Sequence, residues 1–282
     1  MAQRGWLPLY EGKSIDAFNH RYASVTTSTT GVSGQGVAHP SAADDLASPT
    51  FAPTPRYWVE ADDLEWPNPF DWSLSFRDTT NVNNERTAIF AIIPVCGAGN
   101  KIPLLKSKSK EASIFLCANG NCFLFDYVSR RKIQSRNINK YILEQLPVIR
   151  REDYDRRFGD KSAAEIVADH VLRLTYTAWD LEPFARDLGY EGDPFVWDET
   201  ERRHLRARLD ALYFHLYGVT DPDDVRYILS TFPIVERKDR AAFDRVYLTA
   251  ELISWYMRAL AAGDTEAVAP ETELIRQAKA RG

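Results

Sequence analysis

Between Arg77 and Arg86 the chain reads RDTTNVNNER, three asparagines and two threonines flanked by arginines. Arginine offers a planar fork of donors suited to phosphate or a guanine edge, and asparagine pairs with an adenine edge. Asn100 and Lys101 follow in a glycine-rich turn, and Asn119 and Asn121 in a third segment. Arg130, Arg131, Lys132, Arg136, Asn137, Asn139 and Lys140 crowd a fourth. Near the N-terminus Lys13, His20 and Arg21 are interleaved with aromatics. The same residue types have a plainer use, since asparagine settles into left-handed turn positions and basic runs coat solvated faces. Composition leaves both uses open.

Catalytic chemistry finds less support. A phosphate loop needs GxxxxGK followed by Ser or Thr, or GxGxxG, after a strand. Gly97-Ala98-Gly99-Asn100-Lys101 follows an apolar strand but lacks the third glycine, so it reads as a tight turn. An amino-methyltransferase tetrad would run Asn/Asp-Pro-Pro-Tyr/Phe. Asn68-Pro69-Phe70 is one proline short and follows no apolar strand. Neither GxSxG nor HExxH occurs. Asp221, Asp223 and Asp224 stand at a helix start, where carboxylates complement the helix dipole. Cys96, Cys117 and Cys122 lack zinc spacing and a fourth ligand, so they read as buried free thiols rather than a metal site.

The net charge of the 282 residues is −5, which by itself disfavours a polyanion partner. Its distribution is uneven. Residues 77–150 hold 12 Lys and Arg against 5 Asp and Glu, a balance of +7. Residues 151–282 hold 19 against 26, a balance of −7. A segment of +7 can supply phosphate contacts within an acidic chain. No apolar run approaches the roughly 18 residues of a membrane span, and no signal peptide is evident, so a cytoplasmic protein is expected.

These side chains need elements to hold them. Residues 1–150 read as mixed α/β. Leu7 and Leu9 mark a short strand, Tyr57–Val59 another, and Trp72, Leu74 and Phe76 alternate as in a half-buried strand. Thr87–Val95 reads as a strand buried on both faces. Residues 24–55, rich in Ser, Thr, Gly, Ala and Pro, read as a flexible insertion. Asn119–Asn121 looks like a turn or helix cap, and a short helix ends at Pro147. Residues 151–262 carry helical spacing: 163–177, 181–188 closed by Gly189, 200–217 closed by Gly218, one opened by Pro222, and 239–262. Residues 263–282 read as a frayed tail. The expectation is an α+β protein, a mixed α/β recognition domain followed by an α-helical subdomain.

Several blocks resemble one family. LPLYEGKSIDAFNHRYA, RYWVEADDLEW, FRDTTNVNNERTAIFAIIPVCGAGNKIPLL and LCANGNCFLFDYVSRRKIQSRNINKYILEQLPVI are similar to segments of large adenine-specific DNA methyltransferases. Those enzymes belong to fused restriction–modification systems and to phage defence of the BREX and DISARM kind. LTYTAWDLEPFARDLGY, LDALYFHLYGV and YILSTFPIVERKD look like the ends of the same proteins, so the resemblance runs from Leu7 to Asp239 with a gap at the Ser/Thr-rich segment. In that family these blocks form the C-terminal target-recognition region, after the catalytic domain. The resemblance therefore implies a DNA-reading segment that is not catalytic by itself. No cofactor is expected in this chain, and S-adenosylmethionine would belong to the catalytic domain. The chain departs from the family at Ser14, usually Met, and at Asn19, often Asp.

On this reading Arg77, Arg86, Lys101, Arg130 and Arg131 contact phosphate or guanine. Asn81, Asn84, Asn119, Asn137 and Asn139 read bases or fix loops, and Lys13, His20 and Arg21 add backbone contacts. The expected partners are double-stranded DNA and a methyltransferase catalytic domain or other defence-system subunits, with no membrane. The alternative is an interaction subunit that docks onto a defence complex without reading DNA. An autonomous enzyme is the third reading.

Overall fold

The structure, a computed structural model, describes residues 5–28, 35–81, 84–133 and 136–281. It has eleven helices and several small sheets among these residues, an α+β fold as the sequence led us to expect.

The first half is built from β1 (Trp6–Tyr10), β2 (Ala23–Thr27), β3 (Gly36–Pro40), α1 (Ala43–Ala47), β4 (Tyr57–Glu60), β5 (Trp72–Phe76), β6 (Phe90–Pro94), β7 (Gly97–Ala98) and β8 (Leu104–Leu105). Helices α2 (Lys110–Asn121), α3 (Phe123–Lys132) and α4 (Lys140–Leu143) follow. One sheet runs β4-β1-β7, with β1 antiparallel to β4 (Leu7 opposite Val59) and parallel to β7 (Leu9 opposite Gly97). The other runs β6-β5-β8, antiparallel throughout, with Leu74 opposite both Ile92 and Leu105. β5 is not half-buried. All five of its residues are inside, and its serines find partners there: Ser75 Oγ donates to the Pro103 carbonyl at 3.0 Å. The predicted strand over Thr87–Val95 is shorter, Phe90–Pro94, because Thr87 spends its amide on a side chain of α3.

Asn119–Asn121, expected as a turn or helix cap, is the last turn of helix α2, which Cys122 closes by donating to the Asn119 carbonyl. It lies so close to β6 that a Cβ on Gly120 would stand 2.4 Å from the Phe90 ring, so only glycine fits there. Segment 24–55 is likewise more ordered than its composition suggested. Within its described part, β2 and β3 pair antiparallel with Val25 opposite Ala38, and Val25 and Leu46 are buried. These two apolar anchors, with backbone carbonyls of the stretch that accept from Arg21 and from the Trp179 amide, hold it against the body.

The second half opens with a small antiparallel pair, β9 (Arg157–Phe158) and β10 (Lys161–Ser162). Then come α5 (Ala163–Thr175), α6 (Glu182–Asp187), α7 (Glu199–Leu216), α8 (Pro222–Ser230), α9 (Pro233–Ala242), α10 (Leu248–Ala261) and α11 (Glu271–Arg281). Ser162 caps α5 in a reciprocal box with Glu165. Gly189 and Gly218 follow α6 and α7 with φ of +80° and +75°, the closures expected of them. The long helix expected over 239–262 is two, broken where Asp244 and Arg245 take positive φ. Nor is the C-terminus frayed. Leu274 of α11 is buried, and Glu271 pairs with Arg203 at 2.7 Å.

The expected division at residue 150 does not divide the core. One apolar cluster runs from Phe18, Trp72 and Phe90 through Phe123 and Tyr154 to Leu212, Phe232, Leu252 and Leu274. Trp72 of β5 packs edge-on against Phe184 of α6, ring centroids 5.1 Å apart, and donates to Asp187 at 2.9 Å.

Candidate nucleic-acid interface

Four of the segments picked out by their polar residues meet on one another. The backbone at Asp78 is clamped from both sides: its amide donates to the Lys101 carbonyl at 3.2 Å, and its carbonyl accepts from Ile138 at 2.8 Å. Thr80 donates to the Arg136 carbonyl at 2.8 Å. Arg77 reaches the other way, its Nε donating to the Gly12 carbonyl at 2.7 Å and its Nη2 to that of Ile15. Lys101 Nζ sits 2.8 Å from Asp78 Oδ2. The loops at residues 12–13, 77–81, 100–101 and 136–139 thus form one cluster, although up to 127 positions separate them in sequence.

Its outer residues are rich in cations and amides. Lys13, Asn84, Asn100, Lys101, Arg136, Asn139 and Lys140 are exposed, whereas Asn81 and Asn137 are half-buried. Lys13 Nζ donates to the Gly36 carbonyl, and Asn139 uses its Oδ1 to cap α4, accepting from Ile142 at 3.0 Å. Lys140 lies 3.7 Å from Glu144, an exposed pair of little strength. Asn83, of the same amide-rich turn, falls outside the described residues.

The other expected contacts serve the interior. His20 is buried and shares Nε2 with both oxygens of Asp180, at 2.9 and 3.1 Å. Arg21 is fully buried and donates to the carbonyls of Leu46, Ser48, Phe51 and Thr177. Asn119, also buried, joins Tyr217 OH at 2.8 Å to the Ile149 amide at 3.0 Å. These three face no solvent and are withdrawn as contacts to an outside ligand. The basic types that suggested a phosphate surface here close gaps between loops, because buried carbonyls need donors.

Arg86 and Arg130 converge on Asp126 of α3, which is wholly inside. Arg86 Nε donates to Oδ2 at 2.8 Å, Arg130 Nε to Oδ1 at 3.0 Å, and the Thr87 amide to Oδ2 at 2.9 Å. Burial works to lower the Arg86 guanidinium, but Asp126, with Asp210 behind it, outweighs burial and holds it above its ordinary value. Both guanidiniums also lie over aromatic rings, Arg86 4.2 Å from the Phe123 centroid and Arg130 4.1 Å from that of Phe232. Arg130 further donates to the carbonyls of Asn84 and Glu85, which pins the amide-rich turn to α3. Arg131 is exposed, stacked on Tyr127 at 4.4 Å and 3.4 Å from Tyr227 OH.

Behind the loop cluster lies a cavity of about 420 Å³, bounded by residues 16–22, the Asn84–Arg86 turn, the α2–α3 junction and α7. Two residues in it were not singled out from the sequence. Asp210 is 5% exposed, and its Oδ1 accepts from the Phe123 amide at 2.7 Å. Burial pushes its carboxyl up to about 7, against the opposing pull of Arg86. Arg206, one turn earlier on the same face, makes no hydrogen bond or ion pair with any described residue. A lone carboxylate inside the run LDALYFHL was the available signal for Asp210.

No group of metal-ligating side chains occurs among the described residues. The three cysteines are buried and unpaired, as expected, and burial pushes their thiols up. No described helix is long and apolar enough to cross a membrane. Comparison with family models, curated proteins and solved structures returns no significant match.

Proposed function

We propose that this chain is the DNA-reading, target-recognition part of an adenine-specific DNA methyltransferase of a restriction–modification or phage-defence system, without catalytic activity of its own. The observation that carries this is the meeting of four separate loops whose outer residues include Lys13, Lys101, Arg136 and Lys140. Cations on loops held by a rigid body suit a phosphate backbone, and amides beside them suit base edges. The blocks that resemble such enzymes contain all four loops. Double-stranded DNA is the partner on this reading, and S-adenosylmethionine would be handled by a catalytic domain or subunit.

The test is a fluorescence-anisotropy titration of duplex DNA at about 50 mM and about 200 mM salt, between which phosphate-dominated binding weakens steeply. Arg136→Ala and Lys140→Ala should weaken binding on all sequences and lower the salt slope by about 1 for each phosphate left without its cation. Absence of binding at about 50 mM salt overturns the proposal for the isolated chain. A second reading, an interaction subunit, rests on Trp6, Tyr57 and Trp58, which stand 40%, 48% and 42% exposed on β1 and β4. It gains ground if DNA fails to bind while alanines at these aromatics abolish capture by a methyltransferase catalytic subunit.

A further inference from the structure

We propose that the cavity between α7 and the Asn84–Arg86 turn binds a nucleoside monophosphate whose base carries an exocyclic amine, with Arg206 on the phosphate and Asp210 on the base edge. The cavity, at about 420 Å³, is within the range of about 300–1,000 Å³ typical of small-molecule sites.

Several charged groups around the cavity already have partners. Arg203, Arg206 and Asp210 fall on one face of α7 by their spacing. Arg203 is taken by Glu271 at 2.7 Å, and Arg86 across the cavity is taken by Asp126. Arg206 and Asp210 stand four residues apart, the separation at which such residues pair, yet they form no ion pair. Asp210 Oδ1 is held instead by the Phe123 amide at 2.7 Å. The cavity therefore keeps one uncommitted guanidinium and one carboxyl oxygen, Oδ2, with no described donor.

An anion with a hydrogen-bonding edge at its other end complements that pair. Adenine presents an amine donor beside a ring-nitrogen acceptor. With Oδ1 held by the Phe123 amide, Oδ2 is the oxygen left to accept from the amine. Half-buried Tyr22 also lines the cavity, with the Arg77 guanidinium 5.8 Å from its ring centroid. Asp16, Glu85 and Asp239 also line it, with Glu85 paired to Lys238 and Asp239 accepting from the Thr249 amide at 2.6 Å. So many carboxylates around one free arginine favour a monophosphate over a polyphosphate.

Calorimetric titration of the full chain with AMP, IMP and adenosine tests the proposal. At about pH 8.5, where Asp210 is ionised, AMP should bind about tenfold or more tightly than IMP, whose carbonyl puts acceptor against acceptor in place of the amine. Arg206→Gln should remove the advantage of AMP over adenosine. Asp210→Asn retains the bond to Phe123 but turns an amide donor toward the base, so the preference should reverse to IMP. Equal affinity for AMP and IMP in the parent, an unreversed preference in a folded Asp210→Asn, or no heat at millimolar AMP each overturns it. The site does not depend on duplex binding, so either proposal can fail while the other stands.

Discussion

At the scale of single residues, the carboxylates hold the site together more than the arginines that drew attention to it. Asp126 accepts from Arg86, Arg130 and the Thr87 amide while fully buried. Asp126→Ala would strand two largely buried guanidiniums, and removing one partner of a buried pair costs about 3–5 kcal/mol. Urea unfolding should show a loss of that order, and a loss below about 1 kcal/mol would contradict the account. Asp210 makes a pH prediction. Its carboxyl is raised to about 7 in the folded chain, against about 3.9 when unfolded. Between those values the folded state binds the extra proton, so this group's contribution to stability declines as pH rises through the window and levels off above it. His170, His204 and His215, lowered by burial, act with the opposite sign but are shared by parent and variant. The melting temperature of Asp210→Asn, taken relative to the parent, should therefore climb from about pH 4 to about pH 7. A difference that stays flat with pH would place the ordinary carboxylate value on Asp210.

At the scale of elements, the packing of α2 on β6 sets the angle at which α3 presents Asp126. Gly120 permits that approach, and Asn121 secures it by a two-way bond with the Phe90 backbone, Oδ1 accepting at 2.9 Å and Nδ2 donating at 2.8 Å. Gly120→Ala forces the Phe90 ring aside from its stack on Phe76 and its edge-on contact with Phe125, an overpacking cost of about 1–3 kcal/mol. Thermal denaturation followed by circular dichroism checks this, and an unchanged midpoint would mean that the ring yields freely. Helices α5 to α8 were legible in the sequence because each carries its own signal, an apolar face with a capping residue or a closing glycine, whereas α9 and α10 read as one helix over 239–262 and α11 as a frayed tail. The sheets were less so. Paired strands such as β1 and β7 are distant in the chain, and Ser73 and Ser75 mimic a solvated face while bonding indoors. The loop cluster was legible as a set of polar segments, yet not as a place. Nothing in NVNNER distinguishes an amide that faces out from Asn119 or Asn121, which bind the chain to itself. Asp210 and Arg206 were hidden for a related reason, since their meaning depends on the Phe123 amide, which lies 87 positions away from Asp210.

At the scale of the whole molecule, the acidic second half and the basic segment before it share one core. Urea unfolding should accordingly give coincident transitions by tryptophan fluorescence and far-ultraviolet circular dichroism, as cooperative single units do. Two resolved transitions would restore the division at residue 150. The shared core also bears on engineering. Arg130 leans on the Thr231 carbonyl, Glu85 on Lys238, Asn119 on Tyr217 and the Phe123 amide on Asp210. The amide-rich turn, α2 and α3 thus each borrow a partner from beyond residue 200. A graft of residues 77–140 onto another scaffold would arrive without the wall that shapes its loops, so any exchange of specificity must move the chain as one cassette.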